Sequence, residues 1–216
     1  MKQTPDAPLA IRIARSLAER IIDGTIKPGT PLRQDHVAAE FGASHVPVRE
    51  AFLQLEARGL AVSEPRRGVR VTSFDAEDLH EVAAMRAALE VLALRHAAPN
   101  MTPATLAAAE AANSAGEAAR DVREWEQANR RFHRLILTPC AMPRLLESID
   151  GLHLISARFL FAAWRTSWER PSDQDHRAIL AALRRGQTEI ACGVLSRHVG
   201  RIGRSPVRKS AVFGTG

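Results

Sequence analysis

Three histidines, His133, His176 and His198, have the side-chain chemistry and placement that could do specific work in this chain. Imidazole suits zinc, nickel and similar first-row ions. Asn129 lies four residues before His133, so the two share a helix face. His176 and His198 sit in two successive helical stretches, equally far from the turn near Gln187 that joins them. In an antiparallel helix pair such residues lie at about the same height. All three rings can therefore meet inside a bundle, if the helices face each other. Facing bundle helices commonly build metal sites in this way. A three-histidine site with an open position can also activate water, which would make the chain a metal hydrolase. Asp175, with Asp173 behind it, is the carboxylate placed to act as its base. Taken singly, each histidine reads as a hydrogen-bonded or surface residue. His36, His80, His96 and His153 belong to no such constellation and are assigned no role.

The elements that must position these residues are helices. Asp75 caps one that carries Leu79, Val82, Arg86, Leu89 and Leu92 and ends before Pro99. Thr102-Pro103 is a cap with proline in the first turn, and starts an alanine-rich helix to about residue 119. Asp121 opens another, with Trp125, Ala128, Phe132 and Leu135 on its buried side. Pro143 begins a long helix through Leu145, Ile149, Leu152, Ile155 and Phe159 to about Trp168. Pro171 and Ser172 start the next, to Arg185, and Gly186 turns the chain into a last helix ending near Gly200. Short loops between these six helices predict an antiparallel α-helical bundle. Trp125, Trp164 and Trp168 are read as core or interface.

The first third has a different pattern. Leu9, Ile13, Leu17 and Ile21 recur at helical spacing, and Gly24 ends that helix. Pro28, Gly29 and Pro31 make a turn into a short extended piece. A helix at about 34–41 follows, then Gly42, then a helix over 44–58 with Val48, Phe52 and Leu55 on its apolar face. Ser44 can cap it and Pro47 is tolerated in its first turn. His45, Arg49 and Gln54 lie off the apolar face. Two β-rich runs, LAVSE and VRVTS, are bridged by PRRG, which predicts a hairpin with Arg66 and Arg67 at its tip. Leu60 and Val62 are expected to face one way. Three helices and a basic hairpin read as a winged helix-turn-helix, whose second helix enters a DNA major groove. The wing can reach phosphates or the minor groove of the same site. An ordinary amphipathic helix of a soluble bundle is the plainer alternative for the second helix, and a winged-helix interaction module that binds no DNA is a further one for the unit.

Composition bounds the rest. The chain has 216 residues and a net charge of +6, but the excess is concentrated after Ile190, where no acid occurs. In the first third, basic and acidic residues nearly balance, so DNA binding must rest on placement. Cys140 and Cys192 are far apart and form no disulfide framework, which fits a cytoplasmic setting. No run approaches the roughly 18 apolar residues of a membrane span, and the N-terminus lacks the apolar core of a signal peptide.

Residues 9–72 resemble the DNA-binding domain of the GntR family of bacterial transcription regulators. The resemblance is carried by Gly24, Pro28-Gly29, Leu32, Ala38, Phe41-Gly42, Ser44, Pro47-Val48-Arg49-Glu50-Ala51, Leu55, Gly59-Leu60 and Gly68. Two positions depart from the pattern: His45 where arginine is usual, and Gln34 where an acid is common. An imidazole lacks the bidentate fork that arginine offers to guanine. The resemblance implies DNA contacts from Ser44, His45, Arg49, Arg66, Arg67 and Gly68, with Arg49 foremost. Residues 78–200 resemble the C-terminal ligand-binding (FCD) domain of the FadR-type branch, through Arg86 with Leu89-Glu90, Phe132-His133, Asp175-His176, Ile179, Ala182, Ala191 and His198. That implies a divalent transition metal such as zinc or nickel on Asn129, His133, His176 and His198. Asn129 stands where aspartate is usual, so the set loses a negative charge. Met142-Pro143 stands where Asn-Pro is common. The resemblance further implies a small carboxylate effector, with Arg86 and Arg158 as its partners; a metal-free pocket binding an anion directly is the alternative. The expected organisation is a flexible N-terminus over 1–8 and a winged helix-turn-helix over 9–74. A helical effector-binding and dimerisation domain follows over 75–203, then a basic tail over 204–216. The expected protein is a cytoplasmic homodimer that binds a double-stranded DNA operator as a repressor and is neither an enzyme nor a membrane protein.

Overall fold

The computed structural model of the chain describes residues 7–73, 76–163, 168 and 174–202. Among these, two compact units are distinguished, the first ending at Ser73 and the second opening at Ala76. The expectations for residues 1–6 and 204–216, for Asp75 and Pro171-Ser172 as helix starts, and for Trp164 and Asp173 lie outside the described residues.

The first unit contains α1 (Leu9–Ile22), β1 (Pro31–Leu32), α2 (Gln34–Phe41), α3 (His45–Ala57), β2 (Ala61–Glu64) and β3 (Gly68–Val71). Ile13, Leu17 and Ile21 of α1 meet Val48, Phe52 and Leu55 of α3 in one core, closed by Leu32, Leu60 and Val71. Each fully buried aliphatic side chain there contributes roughly 1.5–3 kcal/mol. Gly42 joins α2 to α3 with φ 59°, a left-handed conformation that a Cβ disfavours. The Ala43 N–H donates to the Ala38 carbonyl at 2.9 Å and closes the turn.

The expected hairpin gains a third strand, giving the order β1-β3-β2. Pro31 pairs with Arg70 and Leu32 with Val69. The facing of β2 also differs from expectation. Ala61 lies opposite Val71 and both are buried, so Val62 points outward and is 42% exposed. Leu60 is buried from the turn before the strand, not from within it. With a side-chain period of two, the inward Ala61 forces Val62 out.

The regular elements among the second unit's described residues are all helices, the long ones being α4 (Ala76–Ala97), α5 (Pro103–Glu117), α6 (Val122–Leu137), α7 (Pro143–Ala163), α8 (Gln174–Arg184) and α9 (Thr188–Ile202). Two of the expected caps form. Thr102 Oγ1 accepts from the Thr105 N–H at 3.1 Å, and Asp121 Oδ1 from the Glu124 N–H at 2.8 Å. α4 packs against α7 and α9, α5 against α6, and α8 against α9. Leu94, Phe132, Ile136, Ile179 and Leu195 fill the core between them. Leu92, expected on the inner face of α4, is 39% exposed. The true inner stripe runs Leu79, Val82, Arg86, Glu90, Ala93, Leu94 and Ala97, passing through a charged pair. No helix among the described residues is long and apolar enough to cross a membrane.

Candidate functional site

α6, α8 and α9 bring His133, His176 and His198 together. Their ring centroids are 5.3 Å (His133–His176), 5.3 Å (His133–His198) and 4.6 Å (His176–His198) apart. His176 and His198 do lie level across the turn near Gln187: their Nε2 atoms are 3.1 Å apart. Phe132, one residue before His133, stacks on the His176 ring with centroids 3.9 Å apart. His133 and His176 are buried, and the His198 side chain is 14% exposed.

The hydrogen bonds at the far sides of the rings decide which nitrogens carry protons. His133 Nδ1 is 2.7 Å from Glu90 Oε2, and His198 Nδ1 is 3.1 Å from Asp175 Oδ2. An ionised carboxylate only accepts, so both Nδ1 atoms donate. His176 Nδ1 lies 3.1 Å from Asn113 Oδ1, while Asn113 Nδ2 donates to Glu117. The amide is thereby oriented with its oxygen toward the ring, and His176 Nδ1 also donates. Each ring is therefore left with an unprotonated Nε2, and one ligand nitrogen from each lies within 4.8 Å of the others. His133 Nε2 is buried without a hydrogen-bond partner, as is Asn129 Oδ1, one helical turn earlier on α6. Two bare lone pairs at 3.1 Å repel unless a cation or proton lies between them.

This is the donor pattern of a histidine metal site. Each ligating ring is held by an outer acceptor that selects the tautomer and raises the basicity of the inner nitrogen. The residues present fit a divalent transition ion: His133, His176 and His198 would hold it through Nε2, with Asn129 Oδ1 as a neutral fourth donor.

A second polar cluster shares His133 with this site, and of its other members only Arg86 was singled out in the sequence, as an effector partner. Glu90, fully buried, accepts from Arg86 Nε at 2.8 Å. Its Oε1 is 3.2 Å from His153 Nε2, and Arg86 Nη2 is 3.1 Å from the same nitrogen. Burial alone would raise the Glu90 pKa. Arg86 beside it, with the two imidazoles, outweighs that and holds it well below the usual carboxylate range. The Arg86 guanidinium bonds both Glu90 and His153, so the buried carboxylate already has a cation beside it. His153 was assigned no role from sequence, yet it follows Ile149 by four residues on the inner stripe of α7. Glu90 follows Arg86 by four residues on the inner stripe of α4. An i, i+4 pair of opposite charges inside an apolar stripe was the available signal.

Arg158 is buried on α7, where desolvation, against the attraction of Asp78, lowers its guanidinium pKa to about 10. Asp175, the candidate base of a hydrolase, is bonded to His198 Nδ1 and to Arg201, on the side of the ring away from the bare Nε2 atoms. Nothing in that geometry activates water.

Burial pushes the histidine pKa values down: His198 to about 3, with His133, His153 and His176 also lowered. In the unfolded chain these rings titrate near pH 6.5. Below that pH the unfolded state binds more protons, so metal-free protein loses stability as pH falls from about 6.5. The slope is up to about 1.4 kcal/mol per pH unit for each ring. Above pH 5, Glu90 stays ionised in both states and does not contribute. Urea unfolding of metal-free protein at pH 7 and pH 5.5 checks this; equal midpoints would contradict it.

In the first unit, the expected DNA-contacting residues lie at the surface. Ser44 has the extended backbone of an N-cap, but its hydroxyl makes no cap bond and is exposed, a correction to the expected capping role. The His45 side chain is 58% exposed, with Nε2 3.5 Å from Asp35 Oδ1. Arg49 is exposed on α3. Arg66 takes φ 65° and Gly68 φ 73° at the wing tip. Arg67 is exposed and 3.7 Å from Glu64.

Comparison with known proteins accounts for both units. Residues 9–71 match "Bacterial regulatory proteins, gntR family", and residues 81–201 match the FCD domain. The chain is 32% identical over 200 residues to the "Probable D-xylose utilization operon transcriptional repressor" of Paenarthrobacter nicotinovorans, covering 88% of this chain and 85% of that protein. It is 28% identical over 187 residues to the HTH-type transcriptional regulator McbR of Escherichia coli strain K12, covering 82% of each. A solved GntR transcriptional regulator from Rhodococcus sp. RHA1 superposes with a TM-score of 0.74 at 26% identity, covering 90% of this chain and 95% of that one.

Proposed function

This chain belongs to the GntR family of bacterial regulatory proteins, with an FCD domain as its C-terminal part, and from that premise we propose that it is a homodimeric repressor controlled by a small carboxylate bound beside a divalent metal. It is a transcription regulator and not an enzyme, so the hydrolase alternative falls away. Residues 9–74 bind the operator and residues 75–203 bind the effector and pair the subunits, in the cytoplasm where the DNA lies. The N-terminal end of α3 enters the major groove, with Arg49 as its main contact and Ser44 and His45 beside it. Arg66, Arg67 and Gly68 reach the phosphates or the minor groove from the wing. Two such units on a two-fold axis match a palindromic operator. An apolar stripe on α4 supports pairing between copies, with Met85 44% and Leu92 39% exposed.

The observation that carries the effector reading is the convergence of one ring nitrogen each from His133, His176 and His198, with the buried Asn129 Oδ1, one helical turn before His133, left without a hydrogen-bond partner. The ion that His133, His176, His198 and Asn129 would hold supplies Lewis acidity toward an anionic oxygen. All four donors are neutral, so none of them offsets the ion's charge and an anion is the favoured partner. Buried Arg158 pairs with the effector carboxylate. Arg86, already engaged by Glu90 and His153, contributes through its field. The effector changes operator affinity by binding the DNA-competent and DNA-incompetent states unequally.

The test is operator binding by the full chain, using a duplex selected from a random library. Arg49→Ala is expected to weaken it by about 5- to 150-fold. Wild-type binding should fall steeply with salt. Adding zinc with members of a small-carboxylate panel, D-xylose included as a neutral control, should shift wild-type affinity. Unchanged affinity in Arg49→Ala would remove the assignment of α3, and no response to any carboxylate would remove the effector reading.

A further inference from the structure

The outward face of α3 carries the two most exposed large apolar side chains among the described residues. Val46 is 65% exposed and Leu53 is 64% exposed, more than any other large apolar residue described. Val46 is the second residue of the helix, between His45 and Arg49, on the same side as Arg49. Leu53 lies two turns further along. Neither packs into the core that Val48, Phe52 and Leu55 occupy on the opposite face. Val46 cannot donate or accept a hydrogen bond, so it has nothing to offer a phosphate or a polar base edge. The apolar group that a major groove presents is the 5-methyl of thymine.

We infer that Val46 is a specificity-determining residue that packs its isopropyl group on a thymine methyl, one in each operator half-site. The inference rests on the reading of α3 as the groove-entering helix. At a recognition helix, residues of the N-terminal end reach base edges, and Val46 is there while Leu53 is not. The adjacent His45 has one imidazole nitrogen directed at Asp35, and its single remaining ring nitrogen offers one hydrogen bond, not a fork. With hydrogen-bond readout at that position reduced, methyl contact from the next residue takes over part of base selection. The operator should therefore show a fixed T·A pair next to the base that Arg49 contacts.

The experiment replaces each thymine of the selected operator in turn by deoxyuridine, which removes the methyl and keeps every hydrogen-bonding group. Full-length wild-type protein is expected to lose about 3- to 10-fold in affinity at one symmetry-related thymine position. Val46→Ala should bind the unmodified operator more weakly by a similar factor and lose nothing further on deoxyuridine substitution there. Val46 is exposed and alanine favours a helix, so the variant keeps the fold. Leu53→Ala should retain the wild-type deoxyuridine pattern. A wild-type protein indifferent to every deoxyuridine overturns the inference. So does a deoxyuridine penalty that persists in Val46→Ala or disappears in Leu53→Ala. If no duplex is selected at all, the reading of α3 as a DNA-binding helix fails together with it, and that outcome is distinct from selection without methyl dependence.

Discussion

His176→Ala is expected to abolish tight metal binding. The variant should retain no zinc or nickel through gel filtration, whereas wild-type protein loaded with either ion retains it. His176 Nε2 lies 3.1 Å from His198 Nε2, and its ring is fixed from behind by Asn113 and from the side by stacked Phe132. Losing one of three imidazoles costs more than the roughly 10- to 100-fold that follows from losing an outer hydrogen-bond partner. Glu90→Gln should fall in that smaller range, because an amide holds the His133 tautomer less firmly than a carboxylate. Asn129→Asp should tighten the ion by restoring a charge at the orphaned donor. The measurement is competition with a chromophoric chelator, backed by elemental analysis. Wild-type protein that takes up neither metal would refute the site. An unchanged affinity in Asn129→Asp would remove that residue from the ligand set while leaving the histidines in place.

Arg86→Met is expected to destabilise the second unit by about 3–5 kcal/mol, because it leaves the buried Glu90 carboxylate without its cation. Arg86 and Glu90 are 1% and 0% exposed and bonded at 2.8 Å. Against a usual total of about 5–15 kcal/mol, this is a large fraction. It should appear as a drop in melting temperature of roughly 10–20 °C. Combining Arg86→Met with Glu90→Gln should recover part of the loss, since the stranded charge is removed. A single variant that melts with the wild type would show that the pair is not electrostatically coupled. The double variant separates this from simple loss of packing, which neutralising Glu90 would not repair. The same cluster links stability to the metal site, because Glu90 bonds Arg86 through one oxygen and His133 through the other.

The two halves of the chain were legible to different depths. In the winged unit, helical spacing of Ile13, Leu17 and Ile21 and of Val48, Phe52 and Leu55 identified the core faces. Gly42 marked the turn between α2 and α3. The pairing of Pro31-Leu32 with β3 was not legible, since a two-residue strand has no periodicity and is defined by its partner. In the bundle, reading α4 as an apolar stripe placed Leu92 inside and passed over Glu90. The stripe keeps its three- and four-residue spacing only if it runs through Arg86 and Glu90, and a buried ion pair does not look apolar.

Local chemistry along the chain was enough to determine the starts of α5 and α6 at Thr102 and Asp121, which family the chain resembles, and that His176 and His198 stand level across their turn. These follow from backbone geometry and capping, which act over a few residues. Tertiary structure decided how the histidine rings are held. Only when α4, α5, α6, α7, α8 and α9 pack do Glu90, Asn113 and Asp175 reach the three Nδ1 atoms and leave the three Nε2 atoms unprotonated. Those partners come from helices distant in sequence, and the proton positions they impose are a property of the assembled bundle.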